Sequence, residues 1–396
     1  MTARTTTTAP HTDVDLFDDE VLLDPYPHYA ALREQGAAVH LDRLGMWAVT
    51  RYDEIRTALH DWEIYSSDEG TALNSDKNAK LRGTVLASDP PLHDQLRGVL
   101  ASRLAPKALR GLKADIENRA DELVGALVRG GTFDAVVDLA QAFAVSVVAG
   151  LIGVPDDAVD RLLPWADATF TTFGPPNART AESGPLSAEM FAWLLTLDAT
   201  DLAPGSMGRA VFEAAERGEI EKASCVPLLG AYVVAGMDTT INAMSNAVLL
   251  LATHPEQWAA VRADPTLLPG TLNEVLRYDS PVQAFSRVVR TEQRIGDAVI
   301  APGERVVLLY GSGNRDQAHY PDADRFDIRR NPVDHLSFGY GVHACAGQGV
   351  ARIEAVAVLG ALLRHAEHLE VGTPVRHLNN VIRGLDRLPV TATPNS

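Results

Sequence analysis

The ten residues Phe338-Gly339-Tyr340-Gly341-Val342-His343-Ala344-Cys345-Ala346-Gly347 carry the clearest chemical signal in the chain. Gly339, Gly341 and Gly347 surround one cysteine and let the backbone turn tightly and come close to something flat. A helical pattern starts just after Cys345, so its sulfur lies where unpaired N–H groups and the positive end of a helix dipole favour a thiolate. An anionic sulfur offered from such a loop suits an axial ligand of haem iron, where it pushes electron density onto the metal. The other cysteine, Cys225, reads as a small buried hydrophobe. Asp238 and Thr239 form a second constellation, interrupting the apolar stripe of a helix where neither type is intrinsically favoured. One account has Thr239 bonding back to its own helix while Asp238 faces solvent. The other is an acid–alcohol pair that moves protons.

The elements that must position these groups follow from patterning. Residues 1–19, rich in Thr and Asp, read as a disordered tail. Pro25-Tyr26-Pro27 opens a helix through Arg33. Residues 38–41 and 46–49 alternate around a turn as strands, and 52–60 return to helix. Residues 71–88 are polar and without period, so they read as a long loop of the kind that is usually functional. Helical patterns dominate from residue 92 to about 251, broken at Gly153-Val154-Pro155 and at Gly174-Pro175-Pro176-Asn177. One helix, residues 221–253, ends at His254-Pro255 and at 1.5 Å per residue would run roughly 45 Å, long enough to cross the middle of a protein. Further helices are expected over 265–278 and 346–368, with strands at 294–300 and 305–309 and a loop from 314 to 341. With no internal repeat and no Gly/Ser linker, the expectation is mainly α with small β-sheets, one domain over residues 20–396.

Composition bounds the function. A chain of 396 residues that is 46% hydrophobic and 22% charged buries a sizeable core. Its 35 basic against 52 acidic side chains leave a net charge of −17, which argues against nucleic acid as a partner. Two cysteines exclude a disulfide scaffold and any four-cysteine metal site, and suit a reducing cytosol. The longest apolar run, residues 226–237, is about half of the roughly 20 residues that span a bilayer. The N-terminus lacks the apolar stretch of a signal peptide, so a cytoplasmic, membrane-free protein is expected.

The cysteine decapeptide does not stand alone. Ala235-Gly236-Met237-Asp238-Thr239-Thr240, Glu274-Val275-Leu276-Arg277, residues 321–327, and His93 with Arg97 after Asp89-Pro90-Pro91 accompany it. Together they resemble the bacterial cytochrome P450 superfamily of haem-thiolate monooxygenases. An E-x-x-R pair is commonplace on helix surfaces, but five motifs in the family's order cover essentially all of the chain after the tail. The resemblance implies the P450 fold, with haem b between the long central helix and the helix after the cysteine loop. It assigns Cys345 as the iron ligand, and His93, Arg97, Arg287 and His343 to the haem propionates, which need cationic or hydrogen-bonding partners. It makes Glu274, Arg277 and Arg325 a buried ion triad that fixes the cysteine loop. Asp238 and Thr239 become the proton-delivery pair, with Gly236 giving room for dioxygen above the iron.

Within the superfamily the chain resembles the subgroup that oxidises para-substituted benzoates, typified by 4-methoxybenzoate O-demethylases. The matching text is Phe170-Thr171-Thr172-Phe173-Gly174-Pro175-Pro176-Asn177, Ser280-Pro281-Val282-Gln283-Ala284-Phe285 and Asn379-Asn380-Val381-Ile382-Arg383-Gly384-Leu385. Phe170, Phe173 and Phe285 are implied to shape an aromatic pocket, joined by Val234, Ala235, Val282 and Leu385. The subgroup's carboxylate grip is altered: Gly230, Ala231 and Val234 stand where it has Arg, Ser and Ser. Either Arg82, with Thr84, substitutes for that clamp, or the substrate is a neutral methoxy-aromatic, since a carboxylate buried without donors is heavily penalised. The implied activity is O-demethylation or hydroxylation of a small aromatic with O₂. Electrons would come from an iron–sulfur ferredoxin and its NAD(P)H-dependent reductase, docked near Arg97, Arg103, Lys107, Arg110 and Lys113, and the chain is expected to be a monomer. A biosynthetic hydroxylase of a larger terpenoid or polyketide and a non-catalytic haem-thiolate ligand-binding protein are the alternatives.

Overall fold

The expected long helix is the axis of the structure. In the computed structural model, which describes residues 9–395, it runs Cys225–Thr253 after a short turn Lys222–Ser224. Its 29 residues span about 43 Å at the usual rise. A helix apolar nearly all round has to be enclosed, and helices Ala142–Ile152, Val159–Thr171, Leu268–Tyr278 and Gln348–His365 pack against it. It ends where His254 leaves helical geometry ahead of Pro255, which opens the helix Pro255–Ala263. By length and composition alone, segments Ala135–Ile152 and Lys222–Thr253 could cross a bilayer, yet 56% and 61% of their apolar windows are buried inside the protein.

Small sheets flank the helices. A six-stranded sheet has the order His11–Thr12, Ala38–Leu41, Met46–Val49, Arg305–Leu309, Ala284–Val289, Tyr65–Ser66. A three-stranded sheet joins Ala366–Val371, Pro389–Pro394 and Thr132–Asp134. Hairpins pair Val375–Leu378 with Arg383–Arg387 and Gln293–Ile295 with Ala298–Ile300. The architecture is mainly α with small β-sheets. The break expected at 153–155 is a left-handed C-cap: Gly153, at φ 78°, closes the helix Ala142–Ile152 before Val154-Pro155.

Three expectations change. Of the tail, residues 1–8 lie outside the described residues, but Pro10 to Asp19 are placed: His11–Thr12 pairs with His40–Leu41, and Asp18 caps the helix Asp19–Leu23. The loop over 71–88 contains a helix, Ser75–Leu81, started by Asn74 Oδ1 accepting the Lys77 N–H at 2.7 Å. The last helix stops at His365, because from Ala366 the chain pairs with Pro389–Pro394 instead.

Candidate active site

The cysteine loop is built by its glycines. Gly339 and Gly341 sit at φ 66° and 72°, and a Cβ on Gly341 would meet the Leu59 carbonyl oxygen at 2.5 Å. The Cys345 N–H donates to the Phe338 carbonyl at 2.8 Å, closing the loop, and Arg97 donates to the Ala344 carbonyl. Cys345 thereby lies three residues ahead of the helix Gln348–His365, which starts two residues later than the expected 346. Burial pushes its thiol up; the N–H groups of Gly347 and Gln348 and the Arg97 charge work the other way. The helix end alone therefore does not make a thiolate here, whereas metal coordination deprotonates such a thiol outright.

Cys345 opens onto a cavity of about 1280 Å³. Arg97, Arg287 and His343 line it too, the Arg97 charge acting on the Cys345 sulfur and the Arg287 charge on His343. His93 does not reach the wall, but its ring stands 4.3 Å from that of His343. Both imidazoles leave Nε2 without a hydrogen-bond partner while buried, and burial, abetted by Arg287 and His93, holds His343 down near a pKa of about 4 despite Asp89. Arg287 and Phe285, two apart on the strand Ala284–Val289, share one face and both reach the cavity. Orphaned buried donors and two guanidinium groups converging beside a loop sulfur fit a flat group carrying two carboxylates. That donor set, with one thiolate available to iron, accepts haem.

On the long helix, Ala235, Gly236 and Thr239 interrupt an otherwise buried run and face the same cavity. Thr239 Oγ1 donates to the Ala235 carbonyl at 3.0 Å, the back-bonded arrangement. A Cβ on Gly236 would lie 3.3 Å from Val148, so this glycine also sets the approach of the neighbouring helix. Asp238 neither faces solvent nor lines the cavity. It is buried, one carboxylate oxygen is unpartnered, and burial together with Asp167 holds its pKa well above the usual carboxylate range, His377 opposing. His377 bonds Asp167 through Nε2 and Asp386 through Nδ1, each at 2.7 Å. Burial acts against its charge, but those bonds push it up to about 10. Sequence reading missed this histidine–carboxylate chain, whose members lie 210 positions apart.

The substrate side is aromatic. Phe170 and Phe173 have ring centroids 6.3 Å apart, and Phe173 and Phe285 stand edge to face at 5.9 Å. Val234, Ala235 and Val282 join them on the wall. Gly230 and Ala231 line it too, so the long helix offers no polar clamp there. Two expectations fail. Arg82 is 61% exposed, lies 3.6 Å from Glu69 and does not line the cavity. Leu385 is buried on its hairpin, its N–H bonded to Asn242, also away from the wall. What does line it is Lys77, from the helix hidden in the expected loop, together with Phe191.

The ion triad is real but has a different third member. Arg277 donates to both oxygens of Glu274 at 2.7 and 2.8 Å, and Arg330, not Arg325, completes the set at 3.3 Å. Arg325 turns outward to Asp327 and contributes only its carbonyl.

A sulfur-bearing loop, converging cationic donors and an open stretch of apolar helix define a haem-thiolate protein. Residues 209–382 match the Cytochrome P450 family. The chain is 37% identical to cytochrome p450 CYP199A2 of Rhodopseudomonas palustris, covering 97% of this chain and 95% of that protein. It is 34% identical to the cytochrome P450 monooxygenase PikC of Streptomyces venezuelae, over 98% and 95% of the two chains. The solved structure of cytochrome P450 CREJ in complex with (4-ethylphenyl) dihydrogen phosphate superposes with a TM-score of 0.85 at 27% identity, over 97% and 100% of the chains. The chain belongs to the cytochrome P450 family and is a haem b monooxygenase. Bacterial members use dioxygen and draw electrons from partner proteins.

Proposed function

We propose that the protein O-demethylates or hydroxylates a small aromatic substrate, Cys345 holding the iron and His93, Arg97, Arg287 and His343 holding the propionates. The observation that carries this reading is the cluster of Phe170, Phe173 and Phe285 on the same cavity wall system as Thr239 and Cys345. Thiolate-bound haem supplies oxygen activation, inserting one atom of O₂ into a C–H bond while the other leaves as water. The chain's own contribution is position and protons. Edge-to-face contacts with the phenylalanines fix the ring and limit which C–H bond can be presented. Thr239, released from Ala235, donates a hydrogen bond from Oγ1 into the cavity. Asp238 stores a proton at its raised carboxyl, and the nearby His377–Asp167 pair acts on that carboxyl through its charges. For an aryl methyl ether, hydroxylation of CH₃ gives a hemiacetal that releases formaldehyde and leaves the phenol.

A small iron–sulfur ferredoxin with an NAD(P)H-dependent reductase is the proposed electron source. The exposed Arg103, Arg110 and Lys113 support it, since helix Pro106–Gly130 packs on the helix after Cys345; Lys107 lies outside the described side chains. The test is a spin-state titration of haem-loaded protein with a size series of ligands. Saturation by single-ring methoxy-aromatics supports the reading, and a response confined to macrolide- or terpenoid-sized ligands would overturn it. That second reading draws on the small Gly184, Ala188 and Ala192, which leave the wall open beyond Phe191.

A further inference from the structure

Lys77 is a charged group with no evident structural partner. It is 9% exposed, on the helix Ser75–Leu81, and lines the cavity. Among the described residues its ammonium has no carboxylate and no hydrogen-bond acceptor. Its contacts are π-faces: Nζ lies 4.8 Å from the centroid of Phe173 and 5.9 Å from that of Phe191. Asp76, one residue away and also on the wall, is exposed and makes no ion pair with it. Other lysines and arginines that line the cavity are either used, as Arg97 and Arg287 are, or exposed, as Lys80 is.

Burying an ammonium without a counter-charge is costly, and stacking on an aromatic face offsets only part of that cost. The ordinary outcomes are an ion pair or a head group that reaches water along its stem. Here the head group opens into the cavity over the Phe173 ring, so an anion lying on that ring comes within reach of it. Burial, aided by Lys80, draws the pKa of Lys77 down to about 8, so at neutral pH most molecules still carry the charge, and an anion gained there strengthens it.

We propose that Lys77 is the anion-anchoring residue of the substrate pocket, and that the substrate is a single-ring aromatic bearing a carboxylate or similar small anionic group away from the oxidised carbon. This deepens the small-aromatic reading and rests on it. A lone ammonium is a point charge rather than a fork, so it selects for charge without demanding the bidentate geometry an arginine would impose. The apolar Gly230, Ala231 and Val234 then need no polar replacement, because the anchor comes from the helix Ser75–Leu81 instead of the long helix.

The experiment compares 4-methoxybenzoate with 4-methoxybenzamide, a neutral ligand of nearly the same shape, and 4-methylphenyl phosphate as a second anion. Binding to haem-loaded protein is read by isothermal titration calorimetry alongside the ferric spin-state shift. The wild type should bind the benzoate at least tenfold more tightly than the amide. Lys77→Met should lose at least tenfold on the benzoate and change the amide less than threefold, and Lys77→Arg should retain most of the preference. The phosphate being preferred over the benzoate supports the anchor and names the doubly charged group as its ligand. An unchanged benzoate preference in Lys77→Met, or a wild type that prefers the amide, overturns the anchor while leaving the aromatic pocket standing. If neither anion nor amide binds the wild type, both the anchor and the small-aromatic reading fall. A wild type without a benzoate preference overturns the anchor with no variant needed, and Lys77→Gln repeats the comparison where Lys77→Met fails to take up haem.

Discussion

Behind the cysteine loop, Glu274 and Arg277 are fully buried, and each polar atom of the pair is used. Arg277 bonds both carboxylate oxygens and the carbonyls of Asn314 and Ala323, while Glu274 also accepts from Arg330 and from the Asp327 N–H. Elsewhere, Lys77 on the cavity wall and Asp238 within the long helix are buried almost as deeply, and the fold supplies neither a counter-charge for the one nor a partner for the second carboxyl oxygen of the other. The same physics governs both places: a charge removed from water must be compensated. Where the fold itself compensates, the charges serve as a fixed clamp. Where it does not, compensation is left to something that arrives, an anion for Lys77 and a proton for Asp238.

That contrast can be broken or sharpened by substitution. The largest effect is expected from Arg277→Leu, which strands the buried Glu274 at a cost of about 3–5 kcal/mol. Purified variant should hold little haem and melt far earlier; haem content at the wild-type level would break the comparison. Asp238→Asn should do the reverse, keeping haem and melting temperature while turnover falls by about 10²-fold or more, the usual worth of a placed proton donor. Turnover in H₂O and D₂O measures it, and unchanged rates would mean the proton takes another route. Lys77→Met should melt no earlier than wild type and gain about 1 kcal/mol, the low end of what an unpartnered buried polar group costs; thermal unfolding without ligand reads this directly.

His377 gives a smaller and pH-dependent effect. Its pKa is raised in the folded state, to about 10. The stability it contributes is therefore fully present below its unfolded value of about 6.5 and is lost as pH rises through about 10. His377→Asn should be less stable by about 1 kcal/mol at pH 6, with the gap closing toward pH 10; a gap that widened with pH would contradict the Asp167–His377–Asp386 assignment. Smallest of all, Arg82→Ala should change stability by less than about 0.5 kcal/mol and leave ligand binding untouched, as expected of an exposed ion pair.

What could be read from the sequence was what is written locally. The glycines around Cys345 and the apolar run of the long helix are patterns within one segment, and both were found in place. The strands 38–41 and 46–49 likewise follow from alternation around a turn. Hidden were the features decided by which distant segments meet. Arg325 and Arg330 are five residues apart in one loop, and only the turn of that loop decides which guanidinium reaches Glu274. Lys77 was obscured because a seven-residue helix lacks a period, although Asn74 as its cap was a usable signal. Arg82 was chosen for charge alone, and its position past the end of that helix turns it to solvent and to Glu69. The His377 chain joins a hairpin to a helix far earlier in the sequence, and no local pattern encodes that meeting.

The most direct test of the central claim is product analysis with haem-loaded protein, dioxygen, NADH, a surrogate ferredoxin and its reductase, and 4-methoxybenzoate as substrate. The account predicts formaldehyde and 4-hydroxybenzoate in equal amounts, with formation of both suppressed in Lys77→Met and Asp238→Asn. NADH consumed without either product, although the substrate binds, would contradict it.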